Sequence, residues 1–307
     1  MKLIVTWLSL VSSTPLYDFS SGCPSGPIVI GANVTRIPRE AFSRCSRRFS
    51  VTFESPASLT SIGIRAFERS GLTAITLPSN LTSIGEWAFY LCNRLTSIDI
   101  PDSVTTLGAQ AFLNAGSLTD VSLSDSLAVL EYGVFSGCTE LTDISLPNSI
   151  NSIKSRAFNG CSKLRTVSLP ANLTTIESSA FRSCFRLEGF VQPESGNVTS
   201  VMPTTLRTVA IYAFSTCDSL GSLVVPYGCA VHHWAGKSFS FAHCPSTSHL
   251  EIPEGVTRIL DGYYAECRSP RIESISFPVS SAQRPPRTLS LRTVMPWALQ
   301  RRGAFAR

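Results

Sequence analysis

The sequence predicts a repeat solenoid of about ten 23-residue coils, with a parallel β-sheet on a concave face and short turns or helical pieces on the convex one. Three observations carry this. First, the stretch 141–163, L-T-D-I-S-L-P-N-S-I-N-S-I-K-S-R-A-F-N-G-C-S-K, is followed from Leu164 by L-R-T-V-S-L-P-A-N-L-T-T-I-E-S-S-A-F-R-S-C-F-R, nearly the same text. Second, an aromatic pivot, usually written Ala-Phe, recurs at Phe42, Phe67, Phe89, Phe112, Phe135, Phe158, Phe181, Phe214, Phe241 and Tyr264, with gaps of 25, 22, 23, 23, 23, 23, 33, 27 and 23. Third, a proline returns to one slot of the unit, at Pro78, Pro101, Pro147, Pro170, Pro193, Pro226, Pro253 and Pro278.

Taken in order, residues 1–20 open with Met1-Lys2 and the apolar run L-I-V-T-W-L-S-L-V over 3–11, then Ser12-Ser13-Thr14-Pro15. One charge, a short apolar run and small residues read as a secretory signal peptide, and the run is too short to span a bilayer. The array occupies 28–278. Within a unit, Leu95, Ile98 and Ile100 alternate with Ser97 and Asp99, the period-2 pattern of a strand with one buried face. The proline that follows removes a ladder donor and fixes φ, so the strand ends there. A second apolar pair, such as Val104 and Leu107 or Leu173 and Ile176, precedes the Ala-Phe turn that returns the chain to the next strand. A lone unit exposes too much apolar surface; stacking at about 4.8 Å per rung buries it and yields an elongated, gently curved body. The region 185–243 is irregular, and the proline is missing after Leu123.

The pattern L-x-x-I-x-L-P-x-x-L-x-x-I-x-x-x-A-F-x-x-C-x-x resembles the BspA-type leucine-rich repeat, most closely between Leu72 and Cys184. The resemblance implies a cell-surface or secreted protein with a role in adhesion or as a surface antigen, binding a protein or glycan.

Composition sets the limits. Apolar residues make up 43% and charged residues 15%, which excludes a disordered chain. The net charge of +5 resides in the tail 279–307, which holds six arginines and no acid, so the remainder nets −1 and gives no sign of a nucleic-acid partner. That tail reads as basic and disordered, without an apolar run that could anchor it in a membrane.

Eight of the ten cysteines, Cys45, Cys92, Cys138, Cys161, Cys184, Cys217, Cys244 and Cys267, follow a pivot by three residues, and Ser70 and Ala115 take the same slot elsewhere. The slot therefore asks for a small side chain, and a column of buried free thiols is expected. Cys23 and Cys229 lie off the column and are better placed to bond or react. His232, His233, His243 and His249 cluster near Cys229 and Cys244, but their spacing fits no zinc template, so neither metal nor cofactor is expected.

Asn33, Asn80, Asn172 and Asn197 begin Asn-x-Thr sequons; the first three fall nine residues before a pivot, on a turn that should be exposed. Partner contacts are expected at outward strand positions, Ser97, Asp99, Asp120, Asp143, Ser145, Thr166 and Ser168, a small, polar, mildly acidic strip. The next rungs, with Gly189 and Val191 and then Ser222 and Val224, turn apolar. No nucleophile elbow, phosphate loop or H-E-x-x-H is present, so the chain reads as a non-enzymatic binding module, secreted or at the cell surface. A cytoplasmic scaffold for protein partners is the alternative.

Overall fold

The computed structural model describes residues 22–191, 198–199, 201–210 and 212–220, with the backbone of three further strands, Ala230–Val231, His249–Glu251 and Ser274–Ser276. Each regular coil presents three faces. The first carries strands of three to five residues: Ile28–Ile30, Phe49–Phe53, Leu72–Ile75, Ser97–Asp99, Asp120–Ser122, Asp143–Ser145, Thr166–Ser168 and Gly189–Val191. They form parallel ladders one repeat apart, as in Ser97↔Asp120 and Asp143↔Thr166. The second face carries two-residue strands, Arg36–Ile37 through Thr106–Leu107 in one sheet and Val129–Leu130 through Ala230–Val231 in another. Alternation explains both faces, since Ile98, Ile144 and Val167 point into the core while Ser97, Asp99, Asp143 and Ser145 face out.

The third face contains no helix: among the described residues every coil closes through turns. Two columns of left-handed residues produce them. One lies two residues before each pivot, from Glu40 (φ 57°) to Tyr212 (φ 58°), and the other two residues after it, from Arg44 (φ 60°) to Thr216 (φ 58°). Successive N–H groups consequently alternate in direction. Ala41 donates back to Pro38, Phe42 across to Ala66, Ser43 back to Glu40, and Arg44 across to Glu68. Every second amide thus bonds along the stack, satisfying a buried backbone without a helix.

Inside, eight pivots from Phe42 to Phe214 form one continuous ring column. Adjacent centroids lie 5.0–5.6 Å apart with planes within 15°. All eight rings are fully buried. The remaining expected pivots, Phe241 and Tyr264, lie outside the described residues. In most coils the turn after the strand closes by an i to i+3 bond, as from Val104 N to Pro101 O. Where proline is missing, Ser124 supplies the same turn, with Leu127 N donating to its carbonyl and its buried hydroxyl donating to Val104 O.

The irregular region is resolved in a way periodicity did not foresee. The long gap between Phe181 and Phe214 is absorbed on the first face alone, where Val198–Thr199 folds back antiparallel onto Gly189–Val191. The second face continues unbroken, with Thr175↔Thr208, and the two pivots still stack at 5.3 Å. The fold-back pairs the edge of Gly189–Val191 that the preceding coil leaves open. It also corrects the expected outward position of Gly189, which is buried: a Cβ there would meet Thr199 O at 2.9 Å.

A second correction concerns Cys45. It is not a free member of the thiol column but is bonded to Cys23, with Cα atoms 5.1 Å apart. Among the described residues no coil precedes this one, and the entering chain brings Cys23 to the slot of Cys45. Residues 1–20, the tail 279–307, Cys229, Cys244, Cys267, Asn197, Ser222, Val224, three of the four histidines and the side chain of His249 lie outside what is described.

Candidate functional site

The expected contact positions converge on one feature. Their strands form an open trough of about 760 Å³, whose polar lining includes Ser97, Asp99, Asp120, Ser122, Asp143, Ser145, Thr166 and Ser168. The parallel register explains the convergence. One column runs Ser97, Asp120, Asp143, Thr166 and the other Asp99, Ser122, Ser145, Ser168, with the ladder pairs Ser97↔Asp120, Asp99↔Ser122, Asp143↔Thr166 and Ser145↔Ser168. The three aspartates are exposed, whereas Thr166 and Ser168 become half-buried toward the fold-back.

Two of the carboxylates are held by neighbouring hydroxyls. Thr119 Oγ1 lies 2.7 Å from Asp120 Oδ2, and Thr166 Oγ1 donates to Asp143 Oδ1 across the rung. Ile98, Val121 and Ile144 lie along its floor, with the side chains of Ile98 and Ile144 buried in the core beneath. Among the described residues no histidine, cysteine, lysine or arginine lines the trough. Its groups accept and donate hydrogen bonds and carry negative charge, which suits a cationic or hydroxyl-rich partner across several rungs. Thr119 and Thr142 also line it, although counting by two from Leu118 and Leu141 passes over them. They precede the strands, where the backbone is still turning.

The thiol column offers no second site. Cys92, Cys138, Cys161, Cys184 and Cys217 are free and buried, and each Sγ lies 2.9–3.2 Å from the carbonyl of the pivot in the preceding coil. Burial pushes the Cys92 and Cys161 thiols up to about 12, and Cys138 and Cys184 well above the usual thiol range. Such thiols are unreactive at neutral pH. Ser70 and Ala115 fill the same slot and are equally buried, so smallness is its requirement and the weak S–H donor an addition. No group of three or more His, Cys, Asp and Glu that could hold a metal ion occurs among the described residues.

Asn33, Asn80 and Asn172 are exposed, each followed by a core residue, Val34, Leu81 or Leu173. Asn80 Nδ2 donates to Ala57 O at 2.8 Å and Asn172 Nδ2 to Asn148 O at 3.0 Å, bonds that need only one of the two amide hydrogens. Among the described residues no helix is long and apolar enough to cross a membrane.

A family model described as "BspA type Leucine rich repeat region" matches in six copies, over residues 13–142, 88–201 and 194–285. No curated protein matches the sequence. Similar solved structures include a leucine rich cell surface protein from Faecalibacterium prausnitzii, at 24% identity and TM-score 0.46, covering 83% of this chain and 80% of that one. A leucine-rich repeat protein from Bacteroides ovatus is 24% identical over 82% of this chain and 84% of its own, with TM-score 0.45. The pneumococcal vaccine antigen PcpA is 19% identical over 83% of this chain and 66% of its own, with TM-score 0.47.

Proposed function

The chain belongs to the BspA-type leucine-rich repeat family, and from that premise we propose that it is a non-enzymatic module, displayed at the cell surface or secreted, that binds a protein or glycan along its strand face. The observation that carries this reading is the trough. Asp99, Asp120, Asp143, Ser145 and Ser168 point outward from three-residue strands whose alternate residues build the core. The core dictates the inward residues and leaves these free to vary with the partner. Adhesion or antigen behaviour is the role such a surface serves, through many weak polar contacts rather than one deep pocket.

An oxidising destination accounts for other features. The Cys23–Cys45 disulfide ties the entering chain to the first coil, and disulfides persist mainly outside the cytosol. The exposed turns at Asn33, Asn80 and Asn172 would then be open to glycosylation, and residues 1–20 would direct export. Fusing residues 1–20 to a reporter tests this directly: export is expected, and a reporter retained in the cytosol would favour the scaffold reading instead.

The binding face is tested by screening the purified chain against an arrayed glycan panel and a panel of purified basic and acidic proteins. The variant carrying Asp99→Lys, Asp120→Lys and Asp143→Lys is screened in parallel. Loss of the strongest hits, with unchanged melting, is expected. Hits that survive the triple reversal would remove the strand face from the assignment.

A further inference from the structure

The described coils are electrically lopsided, in a way the near-neutral total conceals. Residues 22–69 hold seven arginines and three glutamates, net +4, whereas 70–191 hold seven basic and ten acidic residues, net −3. The positive end is concentrated on the turn face. Arg44 and Arg69 occupy the same left-handed column in adjacent coils, joined where Arg44 N donates to Glu68 O at 2.7 Å. Arg47 and Arg48 lie on the following corner, and Arg47 covers Gly71, where a Cβ would meet Arg47 O at 2.0 Å. Arg44, Arg47, Arg48 and Arg69 are all exposed. None of the ion pairs among the described residues involves Arg44, Arg47 or Arg48, and the contact of Arg69 with Glu68 is long, at 3.8 Å.

The fold does not ask for arginine here. At φ 60° and 53°, Arg44 and Arg69 hold a left-handed position that Leu91, Asn114, Gly137, Gly160, Ser183 and Thr216 hold in other coils, so nothing in the column requires arginine. Like charges on adjacent rungs also repel. Exposed, mutually repelling arginines gathered at one end of a stack whose turns accept other residues point to a function there. We propose that this corner of the first coils is a second interaction surface, opposite in sign to the strand face, that binds a sulfated polysaccharide. Guanidinium forks suit sulfate oxygens arrayed along a chain.

Two neighbouring features favour a glycan over other polyanions. The Trp87 ring is covered by Arg65 at 4.7 Å and the Tyr90 ring by Arg69 at 5.7 Å, so these faces are not open for stacked nucleic-acid bases. Among the described residues the exposed large apolar side chains, Tyr132, Phe185, Val198 and Val201, all lie on later coils, and none lies beside the arginines as a wedge for a membrane.

The test uses the full chain with heparin as probe, followed by calorimetry and by salt elution from a heparin column. Changing Arg44, Arg47, Arg48 and Arg69 together to Gln is expected to weaken binding on the order of tenfold or more and to flatten its salt dependence. The corresponding Lys variant should keep most of the affinity, which separates lost charge from a damaged fold. The control removes the same charge from the tail, by Arg284→Gln, Arg287→Gln, Arg301→Gln and Arg302→Gln, and should bind heparin as the parent does. Loss in the tail variant equal to or greater than that in the first-coil variant overturns the proposal. So does equal or tighter binding to desulfated heparin, to an oligo-dT strand or to phosphatidylserine vesicles.

Discussion

Replacing Gly160 by Ala isolates the backbone strain on which the turn face depends. Gly160 sits at φ 76° in the column two residues after the pivots, and an added Cβ would find nothing closer than Gly137 Cα at 3.9 Å. Packing is therefore unchanged, and the cost is the left-handed conformation itself, roughly 1–2 kcal/mol. In a chain of this size that lowers the melting temperature by about 2–6 °C. Gly137→Ala, at φ 74°, should cost more, because its Cβ would lie 2.0 Å from Asn114 Oδ1 and that side chain must also move. Arg44→Gly, at φ 60°, runs the other way. Relief of strain exceeds the added entropy of the unfolded chain, for a net gain of about 0.5–1 kcal/mol. Urea unfolding followed by circular dichroism and tryptophan fluorescence would read all three. A neutral Gly160→Ala, or an Arg44→Gly that destabilises by a similar amount, would refute the claim that these columns are strained.

Phe112→Ala removes a ring packed 5.0 Å from Phe89 and 5.4 Å from Phe135, and should cost about 3–5 kcal/mol, splitting one unfolding transition into two when followed by hydrogen exchange. For the thiol column, the folded values of Cys92 and Cys161, about 12, exceed the ordinary 9.0, so the stability due to their burial is complete below pH 9 and lost between about 9 and 12. At pH 8 native Cys161 should resist alkylation and react once urea is added, and Cys161→Ala should reduce the alkaline loss. Cys23→Ser opens a link between residues 22 apart and should lower stability by about 3 kcal/mol, with the faster exchange confined to the first coils. Secreted from a glycosylating host with residues 1–20 intact, the protein should carry endoglycosidase-sensitive mass at Asn33, Asn80 and Asn172; unmodified peptides at all three would contradict export through that route.

Much of this fold is legible because a repeat states its requirements many times over. The pivots, the alternating strand residues and the small slot filled by cysteine, Ser70 or Ala115 each recur until chance similarity is excluded, and the trough at Asp99, Asp120 and Asp143 follows from strand alternation plus register. What the text conceals is what happens once. The fold-back of Val198–Thr199 onto Phe190 and Val191 occupies a stretch with no second copy to compare. The Cys23–Cys45 bond joins a column residue to one outside the array, a pairing that periodicity cannot express. The turn face was obscured for a different reason. Left-handed positions are usually announced by glycine or asparagine, but here Glu40, Arg65, Trp87 and Leu91 adopt them, because the amides of those residues must bond to the next coil.

That last mismatch suggests where specificity resides in a molecule whose architecture is nearly fixed by repetition. A residue that its column requires reports on the stack; one that the column does not require is free to report on something beyond it. Asp143 and Ser145 stand where the column sets no requirement, so their identity is free to follow a partner. Arg44 and Arg69 likewise stand in a column that other coils fill with Leu91, Ser183 or Gly160, so the stack does not require arginine there. Glycine or asparagine holds that conformation with less strain, as Asn114, Gly137 and Gly160 do, whereas Leu91, Ser183 and Thr216 carry it as Arg44 does. Stability and polyanion binding should accordingly move in opposite directions at Arg44: the change to Gly that strengthens the first coil should also weaken its hold on heparin. A variant that gained in both would show that the arginine does not serve the ligand.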